Sequence, residues 1–223
     1  MRTFEEITSL AAARKGGGAA LNQLLSAPKS PAEIAATPDA RFLAEMTRAV
    51  FQAGFDWSLI DRKWPGFEAA FEDFDVGRWT LMSDDDVDRL AKDKRIVGNI
   101  AKIRSVGINA ELVQGLAKAH RSAGAYFAAS RPEDYFALVA MLKAEGSRLG
   151  GKTGQLFLRR MGVDALIYSD AVVSALKREG VVTKLPSSKR DIDAVREAVE
   201  RWRAEGGRSL TEISQILAFS VES

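Results

Sequence analysis

Apolar residues recur at intervals of three and four along almost the whole chain, and this helical spacing most constrains its fold. The clearest case runs from Asp39 to Gly54, where the stripe contains Phe42, Met46, Ala49, Val50 and Ala53. Hydrophobic residues make up 46% of the 223 positions and charged residues 28%, proportions typical of a globular protein. The sequence therefore predicts an all-α fold, which we expect to be a two-lobed helical bundle.

A glycine-rich turn interrupts the helical pattern at Gly150 and Gly151, and Lys152 and Thr153 follow it directly. Glycine lets backbone approach a ligand closely, and the first turn of a helix presents N–H groups that lack partners. A turn that opens a helix therefore suits a phosphate. The alternative is an ordinary turn between two packed helices. The Walker-A pattern needs GxxxxGK[ST] after a strand, and neither condition is met, which argues against nucleotide hydrolysis.

Positive charge is concentrated around this turn, although the net charge of the whole chain is only +2. Residues 143–190 contain ten Lys or Arg and four Asp or Glu. Such a surplus on one stretch is typical of a surface that binds phosphates. A solvated basic surface without a nucleic-acid partner is the alternative.

Several kinds of site are excluded by composition. The chain has no cysteine and one histidine, so it can form neither a disulfide nor a thiolate or multi-histidine metal site. We expect no metal and no cofactor. We find neither a signal-peptide pattern nor an apolar run long enough for a membrane span, so we expect a cytoplasmic protein without a membrane partner.

The segment Gly150–Gly154, GGKTG, resembles the Gly-x-Lys-Thr-Ala pattern of helix-hairpin-helix base-excision DNA glycosylases. This resemblance implies that Arg148, Gly150, Gly151, Lys152 and Thr153 bind the DNA backbone. It also implies catalytic roles for Lys152 and Asp170. In that superfamily the lysine is a nucleophile in one branch, and an aspartate at the start of a later helix stabilises positive charge. Asp170 stands 18 residues after Lys152, at the spacing that the superfamily's aspartate needs.

A second stretch, FQAGFDW from Phe51 to Trp57, resembles the Gln-Ala-Gly-x-x-Trp motif of the 3-methyladenine DNA glycosylase I family. The aromatic segment that ends in Phe74-Asp75 and the later Asn109-Ala110 follow that family's order as well. The resemblance implies a pocket for an extruded base, formed by Trp57, Phe51, Gln52 and Glu45. The family's base-reading glutamate corresponds to Ala49, and Glu45 lies one helical turn earlier.

We therefore predict a DNA glycosylase that hydrolyses the N-glycosidic bond of an alkylated purine such as 3-methyladenine in duplex DNA. A catalytically silent DNA-binding protein on the same scaffold is the alternative, since Ala49 replaces the family's glutamate. A helical protein–protein interaction module is the third reading, and the clustered positive charge argues against it. We expect an N-terminal helical arm over residues 1–38, a glycosylase-like domain over residues 39–223, and a monomer.

Overall fold

The computed structural model describes residues 1–222, which form helices and contain no strand. The all-α prediction is therefore confirmed. The helices are α1 Phe4–Lys15, α2 Gly18–Leu24, α3 Pro31–Ala35, α4 Asp39–Gln52, α5 Trp57–Ala70, α6 Val76–Trp79, α7 Asp84–Lys92, α8 Ile100–His120, α9 Ala123–Ala128, α10 Tyr135–Glu145, α11 Lys152–Met161, α12 Asp170–Arg178, α13 Lys189–Gly206 and α14 Leu210–Phe219. Two short 3-10 helices span Glu72–Phe74 and Pro132–Asp134.

Polar caps explain where many of these helices begin. The hydroxyls of Thr3, Ser83 and Ser209 each accept a hydrogen bond from the backbone N–H three residues later. The acidic side chain of that later residue in turn accepts a hydrogen bond from the backbone N–H of the capping residue. Such reciprocal caps satisfy two N–H groups that the helix itself leaves unpaired, and each N-cap contributes about 1 kcal/mol. Three aspartates follow Ser83, so the first turn of α7 also carries negative charge that interacts favourably with the helix dipole.

Packing divides the chain into two compact units. We call Lys29–Ser130 together with Ala137–Val163 the central unit. The terminal unit consists of Met1–Pro28, Arg131–Phe136 and residues 164–222. The predicted boundary at residues 38 and 39 was placed by a change in sequence character and stays a prediction. The last residue of the predicted glycosylase-like domain, Ser223, lies outside the described part of the chain.

Aromatic rings fill the core of the central unit. Phe127 stacks on Phe42 with ring centres 5.4 Å apart, and Phe157 meets Phe127 edge to face. A second group places Trp64 between Phe67 and Phe74, each 5.5 Å away. Ring pairs in these geometries add about 0.5–1.5 kcal/mol beyond the burial of their surface. Most of the aromatic residues between positions 51 and 79 therefore serve the core.

The terminal unit joins the two ends of the described chain. Trp202 of α13 is fully buried, and its indole N–H donates to the backbone oxygen of Arg2. Both carboxylate oxygens of Asp164 accept backbone N–H groups at the start of α14, from Leu210 and Thr211. A carboxylate in that position satisfies helix donors and interacts favourably with the helix dipole.

The spacing of apolar residues predicts a helix over residues 96–119 with breaks at Gly98 and Gly107, and the structure differs from this prediction in two ways. The helix begins at Ile100, after Asn99 caps it, and it continues without a break through Gly107. A Cβ at Gly107 would lie 3.2 Å from Met82 and 3.4 Å from the backbone oxygen of Trp79. This glycine therefore permits a close approach of α8 to residues 79–82 and does not interrupt the helix.

Candidate functional site

A pocket of about 260 Å³ opens in the central unit where three helix ends meet. The end of α4, the first residue of α5 and the first turn of α11 contribute its walls. The lining residues are Ala49, Gln52, Ala53, Gly54, Trp57, Lys152, Thr153 and Leu156. Two stretches that were singled out separately in the sequence, QAGFDW and GGKTG, therefore contribute to one pocket.

Trp57 occupies the first position of α5 and is 46% exposed. Asp56 caps this helix by accepting the backbone N–H of Ser58 at 2.9 Å, which fixes the position of the residue between them. Trp64, Trp79 and Trp202 are buried in cores, so Trp57 differs from them in presenting much of its indole ring. A large exposed ring on a capped helix end is suited to stacking against a planar ligand.

Arg160 of α11 covers part of the Trp57 ring. Its guanidinium carbon lies 5.1 Å from the ring centre, within the range of a cation–π contact. Glu45 of α4 accepts a hydrogen bond from Arg160 Nη1 at 2.9 Å, and both side chains are largely buried. Glu45 is therefore connected to Trp57 through Arg160, and it is not among the residues that line the pocket.

Gln52 lies at the end of α4 and is 1% exposed. Its Nε2 donates to Asp61 Oδ1 at 3.0 Å, and the same oxygen accepts from Arg48 Nη2 at 2.6 Å. This arrangement fixes the orientation of the amide because a reversed amide would place its oxygen against a carboxylate. Gln52 Oε1 is buried and has no hydrogen-bond partner within the protein.

Phe51 lies behind the pocket instead of lining it. The ring is fully buried and meets Phe67 edge to face at 4.7 Å. Lys102 extends from α8 to the backbone oxygens of Phe51 and Ala53, at 3.1 and 2.6 Å, and so caps the end of α4. Burial lowers the pKa of Lys102 from its usual value, and the nearby Arg148 lowers that pKa further.

The glycine-rich turn has the backbone conformation that its sequence predicts. Gly151 has a positive φ of 58°, which favours glycine, and α11 begins at the next residue with no side-chain cap. At Gly154 a Cβ would lie 2.3 Å from the backbone oxygen of Leu149, so this position cannot take a larger side chain without rearrangement. Uncapped N–H groups at a helix start are suited to an anion.

The two cationic residues of this turn are exposed. Arg148 also has a positive φ, 62°, and its Nε donates to the backbone oxygen of Ala101 at 3.3 Å. Lys152 and Thr153 occupy the first turn of α11 and line the pocket. The expected DNA-binding residues Arg148, Gly150, Gly151, Lys152 and Thr153 thus form one continuous segment, and their role stays a prediction.

Asp170 lies in the terminal unit as the first residue of α12. The hydroxyl of Ser169, not Asp170, caps this helix by accepting the Val172 N–H at 3.2 Å. The carboxylate of Asp170 is exposed at the helix N-terminus, where the dipole favours a negative charge. Its catalytic role stays a prediction.

Sequence reasoning did not single out Arg48, Asp61 or the contact of Arg160 with Trp57. A local signal for the first two exists: Arg48 and Gln52 are four residues apart on α4, and Trp57 and Asp61 are four apart on α5. Side chains at that spacing share a helix face. The approach of α11 to α4 could not be inferred from spacing, because it depends on tertiary packing.

Over residues 1–222, no group of three or more His, Asp or Glu side chains is arranged to hold a metal ion. No helix within this range is both long enough and apolar enough to cross a membrane.

The pocket residues from α4 and α5 lie in a stretch of the chain that matches a known sequence family. Residues 35–138 match the family described as methyladenine glycosylase. This match contains Glu45, Ala49, Gln52 and Trp57, whereas the GGKTG turn and Asp170 lie beyond it. Curated protein sequences gave no match to the chain.

Solved structures show a similar fold. A crystal structure of 3-methyladenine DNA glycosylase I is 21% identical, with a TM-score of 0.51, and covers 62% of this chain and 83% of its own. A mutant of the same enzyme from Staphylococcus aureus is 19% identical, with a TM-score of 0.50, and covers 68% of this chain and 86% of its own. The resemblance to 3-methyladenine DNA glycosylase I that was inferred from the sequence is therefore confirmed. These structures share the all-α fold of this chain.

Proposed function

We propose that the protein is a DNA glycosylase of base-excision repair that hydrolyses the N-glycosidic bond of an alkylated purine. One observation carries the proposal: a half-exposed tryptophan and the uncapped start of a helix line the same pocket. The first is suited to a planar base and the second to the phosphate of a DNA strand. The methyladenine glycosylase match over residues 35–138 supports the same function.

In the proposed reaction, the damaged nucleotide leaves the duplex and its base stacks on Trp57. A damaged base is poorly stacked in DNA, so its extrusion costs less than that of an intact base. As the bond between sugar and base breaks, positive charge develops on the sugar, and the carboxylate of Asp170 stabilises it. The electron pair of the broken bond leaves with the base, and water adds to the sugar carbon and loses a proton to solvent, which leaves an abasic site.

We assign Lys152 to phosphate binding, together with Arg148 and the backbone N–H groups after Gly150 and Gly151. A nucleophilic lysine would instead form a Schiff base with the sugar and lead to strand cleavage. The resemblance to an alkylpurine glycosylase favours the first role, because such an enzyme needs no covalent intermediate. The partner is duplex DNA with a damaged base, and we expect the protein to act as a monomer.

A catalytically silent DNA-binding protein is the second candidate. Ala49 favours it, because this position lines the pocket and offers no polar group to read a base. A binder of this kind would use the same turn and the same tryptophan, but it would leave the glycosidic bond intact.

Release of free base from methylated duplex DNA tests the proposal. Under single-turnover conditions, we expect the protein to release alkylated purine faster than the DNA does spontaneously. Binding of the same DNA should be measured in parallel. If the protein binds the DNA and releases no base, the silent-binder reading replaces the glycosylase.

A further inference from the structure

Gln52 supplies the one side-chain amide among the described residues that line the pocket, and the two ends of this amide differ. Its Nε2 donates to Asp61 Oδ1 at 3.0 Å. Its Oε1 is buried and has no hydrogen-bond partner within the described chain. Buried carbonyl oxygens without a partner are uncommon in folded proteins, because such an oxygen has lost its water and gained nothing in exchange. A ligand in the pocket that donates a hydrogen bond to Oε1 removes this cost.

Asp61 determines which end of the amide lacks a partner. A carboxylate accepts hydrogen bonds and donates none, so it holds the NH2 group of Gln52 and turns the carbonyl oxygen away. Arg48 keeps the carboxylate in place, since its Nε and Nη2 donate to the same Asp61 Oδ1 at 3.1 and 2.6 Å. Asp61 also stands one turn after Trp57 on α5, so one helix carries both the exposed ring and the carboxylate that orients the amide.

The other side chains of the pocket do not supply an equivalent acceptor. The indole N–H of Trp57 and the ammonium of Lys152 can only donate, and Ala49 has no polar side-chain atom. The hydroxyl of Thr153 both donates and accepts, so it does not distinguish a ligand that donates from one that accepts. Gln52 Oε1 is therefore the side-chain atom of the pocket that favours a donor.

We propose that Asp61 is a positioning residue for base recognition, which keeps Gln52 Oε1 as the acceptor for the exocyclic amino group of the bound purine. The inference rests on the proposed function and specifies how the pocket distinguishes an alkylated adenine from a purine with oxygen on the same carbon. The amino group donates to Oε1. An oxygen in its place cannot donate and meets the lone pairs of Oε1, so both oxygens stay without a partner.

Binding of two free bases to the unaltered protein measures this preference. 3-Methyladenine and 3-methylhypoxanthine have the same ring system and the same methyl group, and they differ in the group on C6, which is an amino group or an oxygen. Both are uncharged at neutral pH, and the absence of DNA removes any effect of phosphate binding. We expect 3-methyladenine to bind about tenfold more tightly, the scale of one buried hydrogen bond lost. Equal affinity, tighter binding of 3-methylhypoxanthine, or binding of neither base overturns the inference.

Asp61→Asn tests the positioning role. An asparagine amide can donate or accept, so it no longer fixes the orientation of the Gln52 amide. An inverted Gln52 amide donates to the oxygen of 3-methylhypoxanthine. We therefore expect the ratio of the two affinities to fall about tenfold, toward one. If Asp61 served only to join α4 to α5, both affinities would fall together, and an unchanged ratio in this variant contradicts the proposal.

Two further variants serve as controls. Arg48→Met removes the other partner of Asp61 but leaves the carboxylate that holds Gln52, so the ratio should persist even where stability decreases. A loss as large as that in Asp61→Asn contradicts the role assigned to the carboxylate. Gln52→Met retains the length of the side chain and removes both polar atoms, so the preference should disappear. If Asp61→Asn does not fold, this variant decides, and a preference that survives in Gln52→Met overturns the inference.

Base release separates this inference from the proposed function. If the protein releases alkylated purine from methylated duplex DNA but binds the two free bases equally, the glycosylase function stands and the inference fails. If it releases no base, while the preference for 3-methyladenine is present and is lost in Asp61→Asn, the glycosylase function fails and recognition by Gln52 stands.

Discussion

Asn109 and Ser147 exchange two hydrogen bonds across 38 positions of the chain. Asn109 Nδ2 donates to the Ser147 backbone oxygen at 3.2 Å, and the Ser147 N–H donates to Asn109 Oδ1 at 2.8 Å. Asn109 is fully buried in α8, and Ser147 stands at the start of the glycine-rich turn. One side chain thus holds the turn that precedes Lys152 to a central helix.

Replacement of Asn109 by alanine should loosen this turn. The change removes two hydrogen bonds to the partly buried backbone of Ser147, each of which contributes about 0.5–1.5 kcal/mol. We expect a lower urea midpoint and weaker DNA binding. Asn22→Ala, at an exposed asparagine of the terminal unit, is the control. If DNA affinity is unchanged in a variant whose stability falls, the turn does not bind DNA.

Local signals in the sequence were sufficient to predict much of the fold. The start of α12 after Ser169 and the end of α11 at Gly162 follow from capping, since each end is specified by residues adjacent to it. Glycine both breaks helices and permits close packing, so the sequence alone predicts a break at Gly107, and only the neighbouring residues 79–82 show that the helix continues there.

The residues of the pocket could likewise be predicted from the sequence only in part. The motifs indicated Trp57, Gln52 and Lys152, but the sequence could not place Phe51 behind the pocket or connect Glu45 to Trp57 through Arg160. These positions depend on how α4, α5 and α11 pack together. Residue spacing shows which face of a helix a side chain lies on, but it does not show which other helix packs against that face.

Salt dependence should reveal phosphate binding at the turn. Each phosphate contact neutralised by Lys or Arg releases a counterion, so affinity for duplex DNA should fall steeply as salt increases. Lys152→Ala and Arg148→Ala should weaken binding of all sequences alike and each reduce the salt slope by about one. Lys118→Ala, at an exposed residue of α8, is the control. Affinity that does not respond to salt contradicts this role.

Trp57 should govern discrimination between damaged and intact DNA. Stacking of a base on an aromatic side chain contributes about 1–3 kcal/mol, so Trp57→Ala should reduce the preference for damaged duplex by that amount. Trp57→Phe should retain part of it. The fold should persist, because Trp57 is 46% exposed. Titration of damaged and intact duplexes with each variant measures the effect, and an unchanged preference for Trp57→Ala excludes stacking on this ring.

Asp86 should contribute stability that depends on pH. A hydrogen bond from Arg78 is the main cause that lowers the pKa of Asp86 well below its usual range, and the Ser83 cap and Arg89 add to it. A lowered carboxyl pKa stabilises the fold above the unfolded value of about 3.9, and this contribution is lost as the pH falls toward the folded pKa. Asp86→Asn should therefore cost about 1–3 kcal/mol at neutral pH and progressively less in acid. Urea unfolding at several pH values tests this. The same measurement on Asp85→Asn, an exposed neighbour, should show little change.

Replacement of Asp170 distinguishes a glycosylase from a catalytically silent DNA-binding protein. Asp170→Asn retains the size of the side chain, and the helix keeps its cap because the hydroxyl of Ser169 makes that bond. The variant loses the negative charge that we assign to the developing positive charge on the sugar. Loss of one such electrostatic stabiliser lowers a rate by about two to three orders of magnitude. We expect that decrease in base release under single-turnover conditions. DNA affinity should stay equal or increase, since a negative charge near phosphate is removed.

Asp193→Asn, at an exposed aspartate of the same unit, is the control, because it matches the change in net charge and should leave base release unaffected. If Asp170→Asn releases base at the rate of the unaltered protein, another group supplies the catalytic charge.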